Sequence, residues 1–254
     1  MTTIAIYNQK GGVGKTTTAI NLLAGIARRG HRPLGIDLDP QSHLTDIFEA
    51  DVDTAEESVY SFFADDRPLI DIALLTPSGL AMCPAHEDLV KIDALLGKSL
   101  SAINRLGSEL RESPVDLGPI VIDCSPHFGV LTLNALFACD LLVIPVSADY
   151  LSLKSAQQVE RSLNLLEPVM KRRLPRRYLL TRFDTRRRMA HEIAEQMLTA
   201  FRPVEVCRTR IAESVMLAES PARPLDIFRY APGSRGAQDY QQLVDELVAS
   251  GFVH

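Results

Sequence analysis

Ten consecutive residues, Asn8-Gln9-Lys10-Gly11-Gly12-Val13-Gly14-Lys15-Thr16-Thr17, bring together three glycines, two lysines and two threonines. The amides of Gly11, Gly12 and Gly14 have no Cβ in front of them and can close on phosphate oxygens, with Val13 adding backbone to the same cradle. A helix opening near Lys15 adds its positive amino end to that cradle. Lys15 would then reach the β and γ phosphates of a nucleotide such as ATP, and the hydroxyl of Thr16, followed by Thr17, would hold Mg²⁺. Gln9 stands where the pattern G-x-x-x-x-G-K-[ST] has its first glycine, and a second lysine, Lys10, comes next. Three acids stand at the ends of apolar runs: Asp37 and Asp39 in Ile36-Asp37-Leu38-Asp39-Pro40-Gln41, and Asp123 after Pro119-Ile120-Val121-Ile122. In an open parallel sheet the strand carboxyl ends converge on the ligand crevice, so these acids point to Mg²⁺ and water handling.

The elements that must position these groups follow from periodicity. The run 3–7 reads as a strand, Ala19, Ile20, Leu22, Leu23, Ile26 and Ala27 recur at helical spacing up to Arg28-Arg29-Gly30, and 33–38 reads as a second strand. Strand, helix and strand in so short a span form one right-handed βαβ unit. Further strands are expected at 80–83, 119–122, 141–146 and 178–181. Helices are expected near 99–111, 129–138, 150–167, 187–200 and 236–249. The prediction is α/β, a doubly wound and mostly parallel sheet with helices on both faces, as a single domain over residues 1–254.

Composition narrows the class. The chain has 254 residues, 46% of them hydrophobic, and a net charge of −5, which excludes disorder. Its longest apolar run is of strand length, well short of the roughly 20 residues of a spanning helix. The start Met1-Thr2-Thr3-Ile4 is no secretion signal, so a cytoplasmic protein is expected, and Cys83, Cys124, Cys139 and Cys207 are expected to be reduced thiols. Charge is unevenly placed. Lys171, Arg172, Arg173, Arg176, Arg177, Arg182, Arg186, Arg187 and Arg188 face one acid, Asp184, within 171–188, a net of +8 that leaves −13 on the rest. All but Arg182 are candidate contacts to nucleic acid phosphates.

Lys10-Gly11-Gly12-Val13-Gly14-Lys15-Thr16-Thr17, Asp37-Leu38-Asp39-Pro40-Gln41 and Ile122-Asp123-Cys124-Ser125-Pro126 resemble the ParA/MinD family of deviant Walker A ATPases. The resemblance is to the short ParA proteins, which lack an amino-terminal helix-turn-helix arm. It continues through 131–136, 143–146, 217–221 and 231–237. It implies that Lys10 crosses a two-fold interface to the phosphates of the other subunit, that Lys15 is the ordinary loop lysine, and that Thr16 binds magnesium. It also implies that Asp39 serves the attacking water, that Asp37 belongs to the magnesium environment, and that Asp123 is the Walker B acid. A family of this kind makes a homodimer in the ATP state and binds nonspecific DNA, so the protein would be nucleoid-associated when ATP-bound. It would hydrolyse ATP weakly alone, be stimulated by an accessory protein on its cargo, and position or segregate that cargo. Partition complexes, microcompartments and chemoreceptor clusters are all cargoes of this kind.

One departure qualifies the resemblance, and two alternatives stand beside it. Short ParA proteins carry a DNA-binding arginine in Ile-Pro-Arg-Asn, where this chain reads Ile211-Ala212-Glu213-Ser214. A MinD-like membrane cycle would need a basic amphipathic tail, yet 241–254 has no Lys or Arg, so no membrane anchor is expected. A metabolic or redox role, as in other members of the superfamily, would draw on Cys83 and Cys124. Cys124, however, follows Asp123, where a small buried residue is the simpler account. Arg182, beside Thr181 and Asp184, resembles the family's adenine-side loop.

Overall fold

In the computed structural model, residues 2–97, 99–113 and 118–253 are described. Met1 and His254, the first residue of the start and the last of the tail considered above, lie outside them. Eight strands form one sheet: Thr3–Ile6 (β1), Leu34–Leu38 (β2), Leu74–Leu75 (β3), Ala81–Cys83 (β4), Ile120–Cys124 (β5), Leu141–Ser147 (β6), Arg176–Phe183 (β7) and Val206–Ala212 (β8). Their order is β3-β4-β2-β5-β1-β6-β7-β8, and every neighbouring pair is parallel except β3 with β4. The central strands are buried on both faces, which is why they read as unbroken apolar runs. Alternate residues serve opposite sides. Ala5 and Tyr7 of the β1 segment join a core beneath helices Val130–Ala138, Tyr150–Met170 and Arg188–Ala200. Ile4 and Ile6 join the core beneath helices Lys15–Arg28 and Arg235–Ala249.

Three strands differ from expectation, and one of them, β3, is a two-residue antiparallel edge piece too short to show as an apolar run. β8 alternates, with Cys207, Thr209 and Ile211 inward and Arg208 and Arg210 outward, a pattern suited to an edge strand and invisible to a search for continuous apolar runs. β7 begins at Arg176, because the guanidinium there is neutralised and can be buried. The helix expected to stop before Pro168 runs on to Met170, with Pro168 inside it and giving up one backbone bond to the preceding turn, and Lys171 then takes a left-handed φ of 53°. The expected helix at 99–111 divides into a 3₁₀ turn, Leu100–Asn104, and a helix, Arg105–Glu112. Among the described residues no helix is long and apolar enough to cross a membrane.

Candidate nucleotide site

The site is built at the carboxyl ends of β1, β2 and β5. Strand register places Asp123 beside Asp37 on one side and beside Ile6 on the other, so the loop leaving β1 passes directly over the acids. Gly12 and Gly14 take φ of 73° and 90°, a region that a Cβ would strain, and Gly14 is the residue from which helix Lys15–Arg28 starts. The loop is tied at several points. Asn8 Nδ2 donates to Pro145 O at 2.8 Å, its Oδ1 accepts from Lys10 N and Ser155 Oγ, and Thr181 Oγ1 donates to Val13 O at 2.8 Å.

The two lysines part company. Lys15 is buried and its Nζ curls inward to donate to Lys10 O at 3.1 Å, inside the loop where phosphates would lie. Burial lowers its pKa, while Asp123 and Asp39 act in the opposite sense. Lys10 turns away from the loop. Its Nζ donates to Asp149 Oδ1 at 2.7 Å and Ser152 Oγ at 2.9 Å, at the amino end of helix Tyr150–Met170. Asp149 also caps that helix by accepting from Ser152 N, and although partial burial works against it, the bonds from Lys10 and Ser152 hold its pKa down at about 2. Neither Asp149 nor Ser152 was among the residues singled out above. The available signal was an acid just beyond the apolar run 141–147, the same placement that marked Asp123.

The acids are unequal. Asp37 is fully buried, and burial raises its pKa to about 6 although it accepts from Asp39 N, Thr45 N and Thr45 Oγ1. Asp123 is raised well above the ordinary range by burial and then by Asp37. Among the described residues neither of its carboxylate oxygens has a hydrogen-bond partner of normal geometry, though the Thr16 hydroxyl is close enough to favour ionisation. Two orphaned, buried carboxylate oxygens beside a threonine are a poor arrangement for a lone protein and a good one for a hard divalent cation, so these residues fit Mg²⁺. Asp39 lies at the cleft wall, where it accepts from Gln41 N.

The cleft itself measures about 530 Å³. Gly11, Gly12, Gly14, Lys15, Thr16, Thr17, Asp39 and Pro126 line the phosphate end. The other end is walled by Ile211, Leu217, Ala218 and Tyr240, with Arg182 and Glu213 also lining the cleft. That apolar end was not legible in the sequence, because it is assembled from β8 and two later helices. All four cysteines are buried, and burial pushes the Cys83 and Cys139 thiols up to about 12.

A family model described as an AAA domain matches residues 1–175. Sporulation initiation inhibitor protein Soj of Bacillus subtilis is 37% identical over 250 residues, covering 98% of each chain. The chain belongs to the ParA/MinD family of P-loop ATPases. Chromosome-partitioning ATPase Soj of Thermus thermophilus, 39% identical over 251 residues, covers 97% of this chain and 95% of its own. Among solved structures, cobyrinic acid a,c-diamide synthase of Mycobacterium smegmatis with bound ATP analogue and magnesium superposes with a TM-score of 0.85 at 27% identity, covering 99% of this chain and 95% of that one. As a ParA/MinD ATPase, the protein hydrolyses ATP.

In this ATPase the basic stretch 171–188 is divided, which corrects the expectation of a single surface. Arg176 is fully buried and paired with Glu160 at 2.7 Å and with Glu167, so it has no face to offer a DNA phosphate. Arg172 donates to the carbonyls of Phe137 and Cys139, Arg173 is paired with Glu205, and Arg177 lies over the Phe252 ring at 5.1 Å. These residues and Lys171 sit at the amino end of β7. Arg186, Arg187 and Arg188 are exposed beyond its carboxyl end, and their partners are Asp184 and Glu192. The 8 residues of β7, spanning roughly 26 Å, separate the two groups.

Proposed function

We propose that the protein is a positioning or segregation ATPase of the ParA type, a single domain over residues 1–254 whose ATP-bound form is a homodimer. The observation that carries this reading is the division of labour between the lysines. Lys15 fills the phosphate loop of its own chain, whereas Lys10 stands outside it, bonded to Asp149 and Ser152, which flank the exposed Tyr150 and Leu151. That exposed turn suits a second copy. Lys10 then neutralises charge on the partner's phosphates, and loss of the γ phosphate on hydrolysis removes what it holds.

Asp39, at the cleft wall, positions the attacking water, and Thr16, Asp37 and Asp123 are the residues that would hold Mg²⁺. Bound Mg²⁺ would neutralise charge on the transferring phosphoryl group. The ATP-bound dimer binds nonspecific DNA through Arg186, Arg187 and Arg188, which lie at the same end of the sheet as the nucleotide, and so associates with the nucleoid. A cargo-bound accessory protein stimulates hydrolysis and release.

The test is a titration with random-sequence DNA, with and without ATP, at two salt concentrations. ATP-dependent, salt-sensitive binding that Lys15→Ala abolishes is the expected result. DNA affinity indifferent to ATP refutes the switch.

A further inference from the structure

A path of buried hydrogen bonds runs from the end of β4 to the acid at the cleft wall. β4 pairs with β2, and just beyond it Ala85 N donates to Thr45 Oγ1 at 2.9 Å. Thr45 lies in the short helix His43–Ile47 and carries the path onward. Its hydroxyl donates to Asp37 Oδ2 at 2.8 Å, and its amide donates to the same oxygen at 3.0 Å. The other oxygen, Asp37 Oδ1, accepts from Asp39 N at 3.0 Å. Ala85, Thr45 and Asp37 are buried, and of this set Asp39 lines the cleft while Thr45 does not. The bonds between Asp37 and Thr45 close the loop that bears Asp39. Within that loop the chain turns sharply, with Ser42 at a φ of 56° and its amide donating to Asp39 O at 2.9 Å. A threonine hydroxyl is one donor with acceptor lone pairs, and here one buried oxygen serves in both senses. Valine has the same outline and can do neither.

We infer that Thr45 is a positioning residue for ATP hydrolysis: by tying Asp37 to the end of β4, it fixes the loop that presents Asp39 to the attacking water. This rests on the role of Asp39 proposed above. Misplacing a reacting group by about 1 Å costs up to about a hundred-fold in rate, and losing an outer hydrogen bond to a functional carboxylate typically costs about ten- to a hundred-fold. The glycine loop that would cradle the phosphates follows β1 instead, so nucleotide affinity is spared.

The experiment measures single-turnover hydrolysis of radiolabelled ATP at saturating Mg²⁺, with the full-length protein in excess, and the affinity for mant-AMPPNP under the same conditions. Thr45→Val should slow hydrolysis about ten- to a hundred-fold while changing affinity by less than about three-fold. Thr45→Ser keeps the hydroxyl and should stay within about three-fold of wild type in both. Thr45→Val/Asp39→Ala should be no slower than Asp39→Ala alone, because the path ends at Asp39. A wild-type rate in Thr45→Val, an equal loss in Thr45→Ser, an affinity that falls as far as the rate, or losses that multiply in the double variant overturns the inference. Should Thr45→Val not fold, Thr45→Ala, which adds no bulk to the site, carries the same expectations. A wild-type rate in Asp39→Ala overturns instead the reading of Asp39 beneath it.

Discussion

Replacing Asp149 with Asn isolates what holding Lys10 would cost the proposed ATP-bound dimer. Asn caps a helix about as well as Asp, so the bond from Ser152 N survives while the charge that holds Lys10 is removed. The Lys10 and Asp149 side chains are 31% and 37% exposed, and pairs that well solvated contribute roughly 0.2–1 kcal/mol. In the proposed dimer two protomers close together and each would release its own Lys10. The penalty therefore enters twice, roughly 0.4–2 kcal/mol, or about two- to thirty-fold in the dimer dissociation constant. Asp149→Asn should accordingly dimerise more tightly by that factor with a nonhydrolysable ATP analogue and Mg²⁺, as read by sedimentation velocity over a range of protein concentrations. The gain should shrink as salt is raised, because the attraction removed is a screened one. A variant dimer no tighter than wild type refutes the idea that Asp149 holds Lys10 back, and a weaker one would mean that Asp149 itself is needed across the interface.

Three further outcomes separate the roles of the remaining residues. Arg186→Ala/Arg187→Ala/Arg188→Ala should weaken DNA binding and reduce the slope of log affinity against log salt by about 0.9 for every DNA phosphate no longer neutralised, and an unchanged slope would place DNA on another face. Arg176→Ala should cost roughly 3–5 kcal/mol in denaturant unfolding by leaving Glu160 and Glu167 uncompensated, and a shift below about 1 kcal/mol would contradict its buried pairing. Asp37 supplies a pH test, because its folded pKa of about 6 lies above its ordinary value of 3.8. The folded state therefore keeps a proton that the unfolded chain releases, stability falls as pH rises through that window, and the penalty is complete above it. Asp37→Asn should raise the melting temperature of the nucleotide-free protein more at about pH 7.5 than at about pH 5, and an equal effect at both would refute the burial argument.

The placement of the glycine loop and of the three acids was legible because each depends on local order: a glycine pattern between strand and helix, and carboxylates at the ends of runs apolar enough to be central strands. Strand register then brought Asp37 and Asp123 side by side, as their positions implied. The apolar end of the cleft was hidden for the opposite reason, since Ile211, Leu217 and Tyr240 come from an alternating edge strand and two separate helices. The basic stretch misled because counting charge along a sequence ignores what faces each residue. Arg176 finds Glu160 and Glu167, which lie sixteen and nine positions earlier on the preceding helix, and it turns inward.

That inward arginine also limits how far a disturbance at the phosphate loop can travel. Asp149 opens a helix of 21 residues, a rod of about 31 Å, and Glu160 and Glu167 fasten its distal half to β7 through Arg176. Were Lys10 to leave for a partner's phosphates, as proposed, the first turn would give up a bond while the rod remained pinned further along by Arg176. In that proposed dimer the adjustment at closure would be confined to the turn around Asp149 and Ser152, and the Lys171 end of the molecule would stay still.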